Sequence, residues 1–204
     1  MQEKFVSNGG YKLDKARIDF SLDFNDKVFI DIGASTGGFT DCLLKNGAKK
    51  VYCVDVGEDL LDKSIRNDDR VVVMDKTNAK DLKKEDFLDV DSIVMDCSFI
   101  SARQILGVIS NLLLLNQEAI ILIKPQFEMD ERKKFKNGII KDKKLHFLAC
   151  KNVIEFAKIF DLFAIDITTA PIKEGKNVEF LLRLVKNGKV MLTEEKIKRV
   201  TECK

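Results

Sequence analysis

From Lys27 onward, short apolar runs alternate with amphipathic ones. KVFIDIG, VYCVDV, RVVVMD, SIVMDC and the AIILIK segment are apolar runs of strand length, and each predicts a strand buried on both faces. Between them, TGGFTDCLLKNG predicts a helix closed at Gly47, and residues 58–65 predict a short one. SARQILGVISNLLLL predicts a longer helix with Ser101 as its N-cap. DKKLHFLACKNVIEFAKIF is the clearest amphipathic helix, with Leu145, Leu148, Ala149, Val153, Phe156, Ala157 and Phe160 expected on the buried face. LFAIDITTA and VEFLLRLV read as two closing strands joined by PIKEGKN. No helix separates them, so the last strand is expected to run antiparallel. YKLDKARIDF, ahead of the first strand, is helix-like, and TEEKIKRVTECK predicts a short surface helix capped by Thr193.

This alternation implies an α/β fold: a mostly parallel seven-stranded sheet with helices on both faces and an antiparallel last strand. Three segments are expected: 1–26 as an N-terminal helical segment, 27–186 as the main domain and 187–204 as a C-terminal tail. The chain has 204 residues, enough for one full hydrophobic core. Its longest apolar stretches, such as 119–123, are too short to span a bilayer, and Gln-Glu-Lys after Met1 lacks a signal-peptide core. The expected location is cytoplasmic. The five cysteines, Cys42, Cys53, Cys97, Cys150 and Cys203, are odd in number and form no C-x-x-C pair, which fits reduced thiols. With His146 the one histidine, neither a zinc site nor a Ser-His triad is expected, and no metal is. His146 itself is expected at the helix surface or partly packed. A net charge of +2 says little about a polyanionic partner. The basic run Arg132, Lys133, Lys134, Lys136, Lys141, Lys143 and Lys144 reads first as a solvated loop.

The first strand ends in Asp31-Ile32-Gly33-Ala34-Ser35-Thr36-Gly37-Gly38-Phe39-Thr40, a glycine-rich turn that opens a helix. Such a turn lets a ligand approach backbone N–H groups beyond the carboxyl end of the sheet. It lacks the G-x-G-x-x-G of a dinucleotide site and carries an acidic residue two before Gly33. That combination favours S-adenosylmethionine, whose charged amino-acid portion needs polar and acidic neighbours. Asp55 closes the second strand, where a carboxylate can accept two ribose hydroxyls, and Asp75, with Thr77 and Asn78, closes the third near an adenine position. Asp96 ends the fourth strand and Lys124 the fifth. Adjacent strand ends would set this carboxylate and ammonium side by side. Glu179 opens the last strand, and Lys12 precedes the sheet. Phe39, Phe99 and Phe127 follow strand ends and read equally as core residues or as platforms for adenine or a target base.

The segments SNGGYKL, DIGASTGGFTDCLLKNGAKKVYCVDVG, VVMDKTNA, DSIVMDCSFIS, LIKPQFE, GIIKD and NVEFLL together resemble the TlyA family, hemolysin-like ribosomal RNA ribose methyltransferases related to the FtsJ type. The resemblance runs from Ser7 to Leu182. It implies a Rossmann-like S-adenosylmethionine-dependent methyltransferase that acts on cytidine 2'-hydroxyls of 16S and 23S rRNA, with ribosomal RNA or subunits as partner. It also implies a Lys-Asp-Lys-Glu tetrad, which falls on Lys12, Asp96, Lys124 and Glu179. Lys124 would take the hydroxyl proton, Asp96 and Glu179 would orient it, and Lys12 would tune it. The cofactor would lie against Asp31, Gly33, Ser35, Thr36, Gly37, Gly38, Phe39 and Thr40, with Asp55, Val56, Asp75, Thr77, Asn78 and Asp96 around it. Two departures stand out: the S4-type RNA-binding module that usually precedes the core is expected to be absent or removed, and the family's S-R-G-G reads Ser7-Asn8-Gly9-Gly10, without the arginine. The alternatives are a membrane-active hemolysin and a non-catalytic relative that binds cofactor or RNA. No Pro-Cys or D/N-P-P-Y/F motif supports other nucleic-acid methylations.

Overall fold

The computed structural model describes residues 4–87, 89–129, 138–172, 174–189 and 192–202. Seven strands form one sheet: β1 (Val28–Ile32), β2 (Lys50–Val54), β3 (Val71–Met74), β4 (Ser92–Met95), β5 (Glu118–Ile123), β6 (Leu162–Thr169) and β7 (Phe180–Lys186). Their order is β3-β2-β1-β4-β5-β7-β6. The first five pair in parallel, and β7 is antiparallel to both β5 and β6. The last strand therefore runs antiparallel, and it does so inside the sheet, inserted between its two predecessors.

Alternate residues of a strand point to opposite faces, and here both faces are covered. Ile30, Ile32, Ile121 and Ile123 join one core, under α4 (Arg103–Leu112) and α6 (Lys143–Lys158). Phe29, Val94, Ile120 and Leu122 join the other, under α1 (Asn8–Asp19) and α2 (Gly38–Lys45). Helix α2 ends at Gly47, where the Ala48 N–H returns to the Leu43 carbonyl 3.0 Å away. Helix α7 (Glu194–Glu202) packs on α6, and Thr193 Oγ1 accepts the Lys196 N–H at 3.2 Å, as its capping role requires.

The start of α1 is pressed against the start of α2. A Cβ on Gly38 would lie 2.2 Å from Ser7 Oγ and 2.9 Å from the Gly10 nitrogen, so this approach needs glycine there. That contact fixes where α1, and Lys12 on it, sits relative to the sheet.

Four local expectations change. The helix expected over 58–65 is confined to α3 (Lys63–Arg66), capped by Asp62. The residues before it are held as a loop because Gly57 N–H donates to Asp55 and Asp59 N–H to Asp75. Ala102 occupies the N-cap position of α4, while Ser101 Oγ, one residue earlier, accepts the Arg103 N–H at 3.2 Å. In α6 the buried face is His146, Ala149, Cys150, Val153, Ile154 and Ala157, and Leu148 is 40% exposed. The sheet meets this helix about one residue round from the side the apolar count suggests. His146 is thereby core, with Nε2 2.9 Å from the Ile140 carbonyl and its pKa lowered by burial. Cys42, Cys53 and Cys150 are buried free thiols, and burial pushes the Cys42, Cys53 and Cys97 groups up to about 12. Cys203 and the Arg132–Lys136 part of the basic run lie outside the described residues, while Lys141, Lys143 and Lys144 are exposed.

The two faces of α6 give opposite expectations in urea denaturation. Ile154→Ala should cost about 2–5 kcal/mol of stability, as a cavity in the core does, while Leu148→Ala should cost about 0.5 kcal/mol or less. Equal losses would return the helix to the orientation its apolar pattern suggests.

Candidate active site

Parallel strands deliver their last residues to one edge of the sheet, and an antiparallel strand delivers its first residue there. Asp96 follows β4, Lys124 follows β5, and Glu179 precedes β7, so all three meet at the same edge. Lys12 arrives from α1 above it. Lys124 Nζ lies 2.6 Å from Asp96 Oδ1 and 2.6 Å from Ser98 Oγ. The other Asp96 oxygen accepts from Lys12 Nζ at 3.2 Å, and Lys12 also lies 2.7 Å from Glu179. The four side chains form one series, Lys124–Asp96–Lys12–Glu179, with Asp96 shared by two ammonium groups.

The series is electrically balanced and largely withdrawn from water. The Lys124 side chain is 7% exposed. Burial is the largest influence on Lys12 and pulls its pKa down, but Asp96 and Glu179 together outweigh it and hold the group above the ordinary lysine value. Lys12 is thus a fixed cation.

The glycine-rich turn adjoins this series. Gly33 has φ +79°, and a Cβ there would meet the Asp96 carbonyl oxygen at 3.0 Å, so the turn can pass this close only without a side chain. A cleft of about 480 Å³ opens beside it, lined among others by Gly33, Ser35, Asp55, Thr77, Asn78 and Asp96, with Val56 exposed at its rim. A smaller polar recess of about 210 Å³ joins it to the charged series; Thr36, Gly38, Phe39, Lys12 and Lys124 border it. Asp55 is held by Ser35 N–H at 2.9 Å and Gly57 N–H at 2.8 Å, which leaves further lone pairs on both oxygens for ribose hydroxyls. Asp31 is completely buried. Its Oδ2 accepts from both the backbone and hydroxyl of Thr40, while Oδ1 has no hydrogen-bond partner among the described residues.

Those features fit a nucleoside cofactor that carries a cationic amino acid. The cleft and the adjoining recess, of about 480 and 210 Å³, offer room for both parts, the ribose has a fixed carboxylate, and a buried carboxylate oxygen with no hydrogen-bond partner among the described residues underlies the turn. Not every expected residue reaches it. Asp75 is turned to Arg66, an ion pair that takes it off the cleft wall. Phe39 is packed in the core beneath the recess, which removes it as a stacking platform. Gly37, in a left-handed conformation, packs over Leu61 and Ile65 and starts α2. Phe99 is 80% exposed at the cleft mouth with φ +71°, its ring centroid 5.6 Å from that of Phe127. Sequence reasoning missed Ser98, whose place two residues after Asp96 was the available signal. It also missed Glu128, which is buried and receives the Ala102 N–H at 2.6 Å and the Ser101 hydroxyl at 2.5 Å. That carboxylate braces the start of α4 against the segment that follows Lys124. Among the described residues, no group of three or more His, Cys, Asp or Glu side chains could hold a metal ion.

A parallel sheet that presents this turn, this cleft and this charged series at one edge defines an S-adenosylmethionine-dependent methyltransferase. The FtsJ-like methyltransferase family matches residues 5–186, and the chain belongs to it. A candidate rRNA methyltransferase of Bacillus subtilis, YqxC, is 43% identical over 98% of this chain and 73% of its own length. The 16S/23S rRNA (cytidine-2'-O)-methyltransferase TlyA of Mycobacterium tuberculosis is 35% identical over 90% of this chain and 69% of its own. A solved structure described as a hemolysin candidate from Lactococcus lactis superposes with a TM-score of 0.91 at 42% identity, covering 98% of each chain.

Asp31 gives this site a pH signature. Burial, opposed by the Thr40 bonds and aided by Asp96, raises its pKa from 3.8 to about 7. Between those values the unfolded chain has released a proton that the native protein still holds, so stability falls as pH rises through the window and levels off above it. In urea titrations, wild type minus Asp31→Asn should therefore decline from pH 4 to pH 7; a flat difference means that Asp31 is already ionised in the acid native state.

Proposed function

We propose that this protein transfers a methyl group from S-adenosylmethionine to the ribose 2'-hydroxyl of cytidine in 16S and 23S ribosomal RNA. The observation that carries this reading is the sharing of Asp96 between Lys124 and Lys12 beside the cofactor turn. The names of YqxC and TlyA support an rRNA substrate, and among the described residues no helix is long and apolar enough to cross a membrane. In this reading residues 27–186 are the methyltransferase domain, 1–26 contribute Lys12, 187–204 form a tail, and the protein works in the cytoplasm.

A ribose hydroxyl is a weak acid and needs a base at hand when it attacks. Bound S-adenosylmethionine supplies an electrophilic methyl on a positively charged sulfur. Lys124 accepts the hydroxyl proton. Asp96 holds its nitrogen in place, and the fixed cation of Lys12 balances the Asp96 charge from the other side. Ser98 orients the same nitrogen, and Glu179 anchors Lys12. Asp55 would hold the cofactor ribose, Thr77 and Asn78 the adenine end, and the Gly33–Gly38 turn the amino-acid portion. The protein's contribution is alignment and proton removal.

Methyl transfer to ribosomal subunits that lack the modification tests these roles. Lys124→Ala should lower the rate about 10²–10⁴-fold, the range for a lost general base, with cofactor affinity held within about threefold. Lys124→Arg, which keeps the charge but cannot shed it, should be as inactive. Transfer by either variant at the wild-type rate removes Lys124 as the base. Asp55→Ala should instead weaken cofactor binding about 10–100-fold, measured by calorimetry, as expected for lost charge-assisted hydrogen bonds.

A further inference from the structure

Beyond the Lys12–Glu179 end of the charged series lies a second cavity, of about 730 Å³, between α1 and residues 171, 172, 176, 177 and 179 of the β6–β7 connection. Tyr11 and Ile18 on α1 and Ile172 opposite them are all exposed large apolar side chains, at 38%, 60% and 53%. The Tyr11 ring is pinned in place, edge-on to Phe5 with centroids 5.1 Å apart and its hydroxyl accepting the Lys4 N–H at 3.1 Å. Lys176, exposed on the lining, forms no ion pair among the described residues. Gln126, two residues after Lys124, also contributes to the lining, and its Oε1 is buried without a hydrogen-bond partner among the described residues.

We propose that this cleft receives the unpaired nucleotide next to the acceptor in the RNA, its base packed on Tyr11 and Ile172 and its phosphate near Lys176. The proposal rests on the reading of the site as an RNA methyltransferase and deepens it. Three features favour a nucleotide. Lys12 and Glu179 belong to both the charged series and this cleft, so whatever fills it is continuous with the substrate at Lys124. Asp96 and Lys12 stand in series between Lys124 and this cleft, through contacts of 2.6 and 3.2 Å, so the cleft lies beside the acceptor position, where a neighbour along the strand would sit. An immobilised aromatic ring, an aliphatic face, an amide and an unpaired lysine are together what a single-stranded nucleotide uses: a stacking surface, an edge contact and a phosphate contact. An amide oxygen shut away from water and unpaired also gains from a base N–H.

The chain has no tryptophan and two tyrosines, Tyr11 and Tyr52, so Tyr11 supplies roughly half of an intrinsic emission that a stacked base would quench. Titration with a single-stranded oligoribonucleotide should quench wild type by up to about half. It should quench Tyr11→Phe little, because the emission that remains comes from Tyr52. Ile172→Asp, a change on an exposed side chain that leaves the core intact, should raise the KM for ribosomal subunits about tenfold or more with kcat and cofactor affinity nearly unchanged. Quenching equal in wild type and Tyr11→Phe, or an unaltered KM in Ile172→Asp, overturns the cleft assignment even while wild type methylates RNA. Tyr11-dependent quenching without methyl transfer to any RNA sinks the enzymatic reading instead and leaves the nucleotide cleft standing.

Discussion

One carboxylate between two ammonium groups organises this protein. Asp96 is 2.6 Å from Lys124 and 3.2 Å from Lys12, and neither lysine could stay this far from water without it. Removing the carboxylate leaves two lysines facing each other without the charge they share; removing Lys12 leaves Asp96 and Glu179 without the cation between them. The chemistry therefore depends on a balance of charges. Glu179 completes the balance by drawing Lys12 away from Asp96 to 2.7 Å on its other side.

The fold is what brings these groups together from positions 12, 96, 124 and 179. β4 and β5 lie side by side and parallel, so Asp96 and Lys124 emerge together. β7 enters antiparallel between β5 and β6, with Phe180 opposite Ile123, and so the residue before it stands at the edge where the parallel strands end. Helix α1 is set by the close contact of Ser7 and Gly10 with Gly38. That glycine serves the cofactor turn on one side and the placement of Lys12 on the other.

Much of this was legible in the sequence. Strands buried on both faces are continuous apolar runs, so their limits and the acidic or basic residue after each could be read directly, and Asp55, Asp96 and Lys124 fell where they were expected. What stayed hidden depended on partners distant along the chain. Asp75 ends its strand as expected, but Arg66 turns it aside. The apolar count of α6 favours a face with Leu148, yet packing between the sheet and α7 selects the face with His146 and Cys150. Lys12 carries no local signal. Only the resemblance singled it out, and only the α1–α2 contact explains how it arrives.

The atom that receives the methyl group distinguishes this chemistry from every other RNA methylation. Ribosomal RNA labelled by the protein with tritiated S-adenosylmethionine, digested completely to nucleosides and separated, reports it directly. Label that co-migrates with 2'-O-methylcytidine is the predicted result, because the charged series is built to deprotonate an alcohol. Label on a base-methylated nucleoside, or none in RNA at all, contradicts it.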